Sequence, residues 1–444
     1  MNKKNSKLVM TFMVGLFTCI SGIAQGAVEM YVMKQDAVDF QYPVSEIDSI
    51  VFYNPAPDTD PFDKQITGPT VAYSDGATAQ MTNPFFWIRF AQGKGINTDA
   101  AILTPSEIVS FNQAMVNQGN LRLTLPTSLA NETTVTRAQI STLATTYGYT
   151  ISTTQVPNFS GNRNVEYGIV TSFSQMTNIP TTSPARNDCE TGLEVSEGVV
   201  IYYEYSNCYL VKSKNYFGWV PKSTIATCSK GDFLQFADPS NFVIVTAERL
   251  QTSLGVPTML RMGTKLPIVS QNGNFVTFRV PTRTGSGSLS SQEATLLVDR
   301  NEYIHVGYLP YTTTNLMKQM FKTLGQVYGW GDQNTDRDCS STLWTAYKCC
   351  GFLFPRNTGQ MQNMNAGTYC KSVGSNHTAV MNALNGTTYR PGAIVLMSGH
   401  VTMYLGNYNG SHYIIHQSGS SRNSCKVTGL SIYNALTYIK AVEK

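Results

Sequence analysis

Apolar residues recur at helical spacing in only a few stretches of this chain. Thr104-Pro105-Ser106-Glu107 opens one of them, with Thr in the N-cap position, Pro first in the helix and Glu third; Ile108, Phe111 and Met115 follow on one face. Residues 315–325 carry a second stripe, Leu316, Met320 and Leu324. A third runs through Leu343, Ala346, Tyr347 and Cys350, with Asp338 as its cap and Gly351 as its stop. Residues 166–310 differ in character. Short β-rich runs at 199–204, 209–211, 219–220, 275–280 and 294–298 are separated by Gly, Pro, Ser and Asn turns, which predicts small barrels with room for two. Beyond 313, helices give way to strands at 393–397, 400–405 and 413–417, the order expected of an α+β domain.

Breaks in these patterns divide the chain. Alternation in Ile47-Asp48-Ser49-Ile50-Val51-Phe52-Tyr53 ends at Pro55-Ala56-Pro57 and Pro61, as a linker would. The expected segments are 1–24, 25–61, 62–165 (mixed), 166–235, 236–311 and 312–444.

The first 24 residues read as a cleaved export signal. Lys3, Lys4 and Lys7 precede an apolar or small run from Val9 to Ile20, shorter than the ~20 residues that span a bilayer, and small residues lead to Ala24. No other stretch is apolar enough to span, so no integral membrane segment is expected after removal. Removal takes three lysines and no acid, lowering the formal charge from +4 to +1. No basic field remains to recruit nucleic acid, and that partner class is excluded. Only 14% of residues are charged, against about a quarter in a typical soluble domain. Gly, Ser, Thr and Asn make up the difference, in keeping with an exported protein. Paired Cys-x-x-Cys knuckles are absent, and neither a metal nor an organic cofactor is expected. Cys189, Cys208 and Cys228 offer material for one disulfide in the middle of the chain.

The third helix carries the candidate chemistry. Cys339 falls in its first turn, where unsatisfied backbone amides favour a thiolate and can hold the oxyanion of a tetrahedral intermediate. All five histidines lie between residues 305 and 416. A hairpin centred on Tyr408 would place His400 directly opposite His416, giving a base a polar partner that fixes its tautomer. His412, nearer the turn, is expected to be exposed; His305 and His377 read as structural.

Tyr328-Gly329-Trp330-Gly331, Arg337-Asp338-Cys339-Ser340, Phe354-Pro355-Arg356, Pro391-Gly392 and His400-Val401 resemble the NlpC family of cell-wall cysteine peptidases. The resemblance implies a papain-like fold and a triad of Cys339, His400 and His416, with Tyr328 near the oxyanion. It also implies hydrolysis of the bond between γ-D-glutamate and the diamino acid of peptidoglycan stem peptides. Upstream, Arg261-Met262-Gly263-Thr264-Lys265-Leu266-Pro267 and Gly307-Tyr308-Leu309-Pro310 resemble a second bacterial SH3-like domain. Ile179-Pro180-Thr181 and Tyr216-Phe217-Gly218-Trp219-Val220 resemble a first, and residues 62–165 a stabilising N-terminal domain. In that branch of the family Tyr216, Asp338 and Ser340 correspond to residues that select a free N-terminal L-alanine. Asn357 stands where some relatives carry aspartate, which removes a salt bridge to the substrate ammonium. The expected partners are stem peptides or muropeptides, met in the periplasm, the cell envelope or outside the cell. Two alternatives stand beside this reading: an N-acetylmuramoyl-L-alanine amidase or acyltransferase of the same fold, and a cell-wall binding protein without activity.

Overall fold

In the computed structural model the described residues are 29–34, 37–43, 72–251, 259–298, 302–419 and 424–444. The expected export signal, the alternating run at 47–53 and the proline-rich linker lie outside them. The chain divides into two units, Met1–Asp60 and Pro61–Lys444. The first contains an antiparallel hairpin of Glu29–Lys34 and Ala37–Pro43, with a bulge between Val32 and Met33.

Among its described residues the second unit is built on three sheets of five or seven strands, with two small two-stranded ones beside them. Seven strands form the C-terminal one, in the order Lys371–Gly374, Leu436–Ala441, Ile394–Met397, His400–Tyr408, Ser411–Gln417, Cys425–Gly429 and Tyr73–Ser74. All pairings are antiparallel except the last, where Tyr73 and Ser74 run parallel to Val427 and Thr428. Alternate residues of a strand face opposite sides. Ile394 and Leu396 therefore join Met403, Ile415 and Val427 in one core, while Val395 and Met397 join Tyr404, Ile414 and Ile439 in another. The helices Thr313–Phe321 and Cys339–Lys348 cover the first face; His377–Gly386 covers the second through Val380 and Leu384.

The mixed segment at 62–165 is shared between two cores. Its first helices, Pro84–Gly93 and Pro105–Asn117, pack onto the C-terminal sheet and its helices through Trp87, Ile108, Phe111 and Met115. The cap on the second is as expected, with Thr104 and Glu107 forming a reciprocal capping box ahead of Pro105. Phe111 packs edge-on against Phe352 at 5.1 Å. Leu129, Ile140, Ala144 and Val156, by contrast, join the core of the next sheet.

That next sheet holds seven antiparallel strands, from Ile225–Cys228 through Glu166–Val170, Gly198–Tyr205, Cys208–Lys212, Phe217–Pro221 and Ser174–Thr177 to Cys189–Leu193. A five-stranded sheet follows, ordered Leu289–Leu297, Phe275–Arg283, Lys265–Asn272, Phe242–Val245 and Ile304–Val306. These occupy the places where two barrels were expected. In neither ladder do the first and last strands pair, so neither closes into a barrel among the described residues.

No helix among the described residues is long and apolar enough to cross a membrane. All eight cysteines from Cys189 to Cys425 are free thiols, so the bridge considered for Cys189, Cys208 and Cys228 does not form.

Candidate active site

Asp338 starts the helix Cys339–Lys348 by accepting the Ser341 amide at 2.9 Å, while its own amide donates to the Ser341 hydroxyl at 3.0 Å. Every residue from Cys339 to Tyr347 is buried, so the helix runs through the middle of the unit rather than across its surface. Cys339 keeps 7% exposure. Its sulfur lies 3.9 Å from the Thr358 hydroxyl and within reach of the Val401 backbone amide, the residue after His400.

His400 and His416 meet, though not by the expected register. The hairpin turns at Asn409-Gly410, both with positive φ (49° and 79°), the type I′ geometry that suits an Asn-Gly pair. A bulge between Tyr404 and Gly406 then shifts the ladder, which ends at Met403↔Ile415. The two histidines are not opposed across the strands; their rings reach each other diagonally, with His400 Nε2 2.8 Å from His416 Nδ1. His416 is 2% exposed. Its Nε2 lies 3.3 Å from Thr428 Oγ1, and the Tyr433 hydroxyl lies 3.3 Å from its Nδ1. Two proton arrangements satisfy these contacts. In only one does His400 donate from Nε2 and His416 donate from Nε2 to Thr428. That one leaves His400 Nδ1 with a free lone pair, able to take a thiol proton.

Burial controls the protonation states. It pushes the Cys339 thiol up to about 11, with Asp338 adding to the rise and the Val401 amide, Thr358 and Arg356 opposing it. It also drives His400 down to about 4, against the pull of Asp338. The thiolate expected from the helix terminus is thus outweighed by desolvation: at neutral pH the pair rests as thiol and uncharged imidazole.

Beneath the cysteine lies a polar network centred on Arg356, a residue the sequence reading quoted without a role. Its guanidinium donates from Nε to Thr191 Oγ1 (2.7 Å), from Nη1 to Asp338 Oδ1 (3.1 Å) and Ser340 Oγ (2.7 Å), and from Nη2 to Asp338 Oδ2 (2.7 Å) and Asp332 Oδ2 (3.4 Å). Burial alone would raise Asp338; the charge and hydrogen bonds of Arg356 overcome it and hold the carboxyl below the usual range. Asp332 accepts the Gly192 amide at 3.1 Å and the Ser341 hydroxyl as well. It sits in a left-handed backbone run with Gly331, Asn334 and Thr335, uncommon for non-glycine residues and costly without such support. The sheet strand Cys189–Leu193 comes so close that a Cβ on Gly192 would lie 2.4 Å from Phe173 and 2.9 Å from Asp332 Cβ. Asp338 and Ser340, expected to touch substrate, thus already have internal partners; Ser340 donates to Asp338 Oδ1 at 2.9 Å.

Tyr216 and Asn357 adjoin this network. The Tyr216 hydroxyl donates to Glu190 Oε2 and lies within hydrogen-bond reach of the Asn357 side chain. Glu190 also accepts from Asn178 at 3.0 Å. Asn357 caps the short helix Thr358–Gln362, whose first residue faces the Cys339 sulfur. Tyr328 is half-buried, its hydroxyl raised by burial and then by the neighbouring Cys339 and Asp338. Sequence reasoning missed Glu190, Thr191, Asp332, Thr428 and Tyr433. His412, expected to be exposed, is buried, with its ring between the Tyr404 hydroxyl (2.8 Å) and Asn385 (2.9 Å). Among the described residues no group of three or more His, Cys, Asp or Glu is placed to hold a metal ion.

A cysteine at the start of a buried helix, within reach of the backbone amide that follows His400, is an arrangement suited to thiol-dependent hydrolysis in an α+β fold. Residues 325–438 match the NlpC/P60 family model, and this part of the chain is an NlpC/P60 domain. The family is generally one of cell-wall peptidases, which implies cysteine peptidase chemistry and suggests peptidoglycan as substrate. Among solved structures, an NlpC/P60 endopeptidase from Photobacterium damselae subsp. piscicida superposes with a TM-score of 0.52 at 14% identity, covering 77% of this chain and 87% of its own. An NlpC/P60 family protein from Bacillus cereus ATCC 10987 gives 0.43 at 18% identity, over 61% of this chain and 98% of its own. The first likeness bears on the fold alone. No curated protein sequence matches the chain.

Proposed function

We propose that the chain is an exported cysteine peptidase that hydrolyses the γ-D-glutamyl–diamino acid bond of peptidoglycan stem peptides. The observation that carries this reading is the His400–His416 contact at 2.8 Å beside Cys339, in a domain of a cell-wall peptidase family. Cys339 Sγ attacks the γ-glutamyl carbonyl as its proton passes to His400 Nδ1. The amide of Cys339 at the helix terminus, helped by Tyr328, stabilises the oxyanion. The C–N bond breaks, His400 protonates the departing amine, and a thioester remains. Water, giving its proton to His400, then releases the acid and restores the thiol. His416 holds the imidazole in the tautomer this requires.

Substrate selection falls to the wall formed by Tyr216, Asn357 and Glu190. Asn357 lacks the charge that would pair with a free L-alanine ammonium, but Glu190 brings a carboxylate to the same wall through Tyr216. No cation is ion-paired with Glu190 among the described residues, and its contacts to Tyr216 and Asn178 are to neutral groups. This supports a requirement for a free amine, with Asp338 and Ser340 acting through the Arg356 network. We read the two antiparallel sheets as the SH3-like modules of the resemblance, divided near residue 235, with the peptidase domain starting near 312.

The test is mass spectrometry of L-Ala-γ-D-Glu-diaminopimelate after incubation with the protein, beside a Cys339→Ala control and an N-acetylated peptide. Release of diaminopimelate by the unaltered protein alone is expected, with the acetylated peptide cut far more slowly. Cleavage of a muramoyl–L-alanine bond instead would establish an amidase, and wall binding without turnover would sink the enzymatic reading.

A further inference from the structure

A mainly apolar cavity with a charged cluster in its wall lies away from the cysteine, where the helix Cys339–Lys348 meets both N-terminal sheets. Its volume is about 230 Å³, and its lining includes Leu125, Leu129, Phe236, Ile244 and Phe352. That is smaller than the ~300–1,000 Å³ of pockets for drug-sized ligands, and suits a smaller molecule. Lys348 stands nine residues along the helix from Cys339, roughly 13 Å at the helical rise.

The charges of this cavity do not balance. Lys214 Nζ and Lys348 Nζ both contact the same oxygen of Glu197, Oε1, at 2.6 and 2.9 Å. Lys265 is matched by Asp238 at 3.1 Å. Among the lining residues three ammonium groups thus face two carboxylates, leaving one positive charge over; Glu194, outside the lining, also acts on Lys348 but is shared with Arg261 at 3.4 Å. All three members of the Lys–Glu–Lys cluster are only 12–17% exposed, so the excess is poorly solvated. Burial pushes Lys214 down to about 8 despite Glu197, with the neighbouring Lys348 adding to the fall. Glu197, which burial would raise, is instead pulled down to about 2 by the two lysines.

Hydrogen-bonding capacity is also left over. Trp344 lines the cavity, and its ring lies under both ammonium groups, at 5.2 and 5.0 Å. Its Nε1 has no hydrogen-bond partner among the described residues, nor has the hydroxyl of Thr264, another lining residue; these side chains are 6% and 1% exposed. Buried donors without partners are rare in folded proteins, where nearly all are satisfied. A purely structural ion cluster would need neither the surplus cation nor the idle donors.

We propose that this cavity binds a small organic carboxylate, its anionic group received by Lys214 and Lys348, with Trp344 Nε1 and Thr264 Oγ1 as further hydrogen-bonding groups. Its apolar body rests on Leu125, Leu129, Phe236 and Phe352. An incoming carboxylate completes an alternating set of two cations and two anions, and brings hydrogen-bonding groups to a place that has them unused. The site is separate from the Cys339 cleft, and the inference does not rest on the peptidase reading.

The test is titration calorimetry of the full chain with benzoate, using benzamide as the neutral isostere. Saturable benzoate binding is expected, at least tenfold tighter than benzamide. Lys214→Met removes the surplus cation but leaves the Lys348–Glu197 pair, so the variant should fold and bind benzoate at least tenfold more weakly. Trp344→Phe, which keeps the ring and removes the donor, should weaken binding severalfold. Absence of saturable binding to folded protein would overturn the proposal, as would equal binding of benzamide or undiminished binding by Lys214→Met.

Discussion

Replacing Arg356 by methionine tests the network beneath the cysteine most directly. The side chain is almost fully buried, and its removal leaves Asp338 and Asp332 without the cation that both contact at Nη2. Breaking a buried pair in this way costs about 3–5 kcal/mol, because the remaining charge is stranded in a poorly solvating interior. The unit from Pro61 to Lys444 has 384 residues. At about 2 cal/mol/K of unfolding entropy per residue, that loss lowers the melting temperature by roughly 4–6 °C. The pH dependence has a definite sign. In the unaltered protein Asp338 is held below its unfolded value, so its contribution is full above about pH 4 and is lost as pH falls through the folded value. In the variant, burial without Arg356 raises the same carboxyl above its unfolded value. Its penalty is then largest at neutral pH and is relieved by protonation as pH falls through the raised value. Calorimetric melts at pH 7.5 and 4.5 should show a gap between the two proteins that narrows at the lower pH. A gap under 1 °C at pH 7.5, or one that does not change with pH, would refute the reasoning.

Other consequences follow from the same geometry. With the Cys339 thiol raised to about 11, alkylation by iodoacetamide should be slow at pH 7 and rise about tenfold per pH unit to pH 10; a fast, pH-independent rate near neutrality would contradict a resting thiol. Thr428→Val strands the buried His416 Nε2–H, which costs about 1–3 kcal/mol in the productive tautomer and should lower kcat about tenfold or more with KM little changed. Tyr433→Phe leaves the 2.8 Å His400–His416 bond in place, and steady-state kinetics should show less than a tenfold loss. Glu190→Gln should erase most of the discrimination between free and N-acetylated peptide while leaving cleavage of the acetylated peptide unchanged; preserved discrimination would remove Glu190 from substrate selection.

What was legible in the sequence was local. The cap at Asp338, the helix that follows it and the capping box at Thr104 are settled by residues within four positions of one another, and they form as expected. The histidine pair was found for a partly mistaken reason. Alternation along the strands put both rings on one face, but the ladder slips at a bulge that no residue type announces, and the contact is diagonal. The Arg356 network was out of reach because Thr191 lies 165 positions away on a different sheet. Asp332 was hidden for a related reason: its left-handed backbone is held by Gly192 and Arg356, not by its sequence neighbours. The division of residues 62–165 between two cores is likewise a matter of which surfaces remain uncovered once the sheets form.

The parallel strand Tyr73–Ser74 sets the order in which this molecule can be finished. Its partners, Val427 and Thr428, are made 354 residues later. At roughly 5–20 residues per second of synthesis, the early strand waits about 20–70 s for the edge on which it docks. Closing so long a loop is costly in chain entropy and belongs to the late steps of folding. The helices that share a core with Cys339 can gather earlier, but the sheet bearing His400 and His416 gains its parallel edge strand only once Val427 and Thr428 have been made. Completion of the histidine-bearing sheet thus doubles as a check that synthesis has passed the strand Cys425–Gly429.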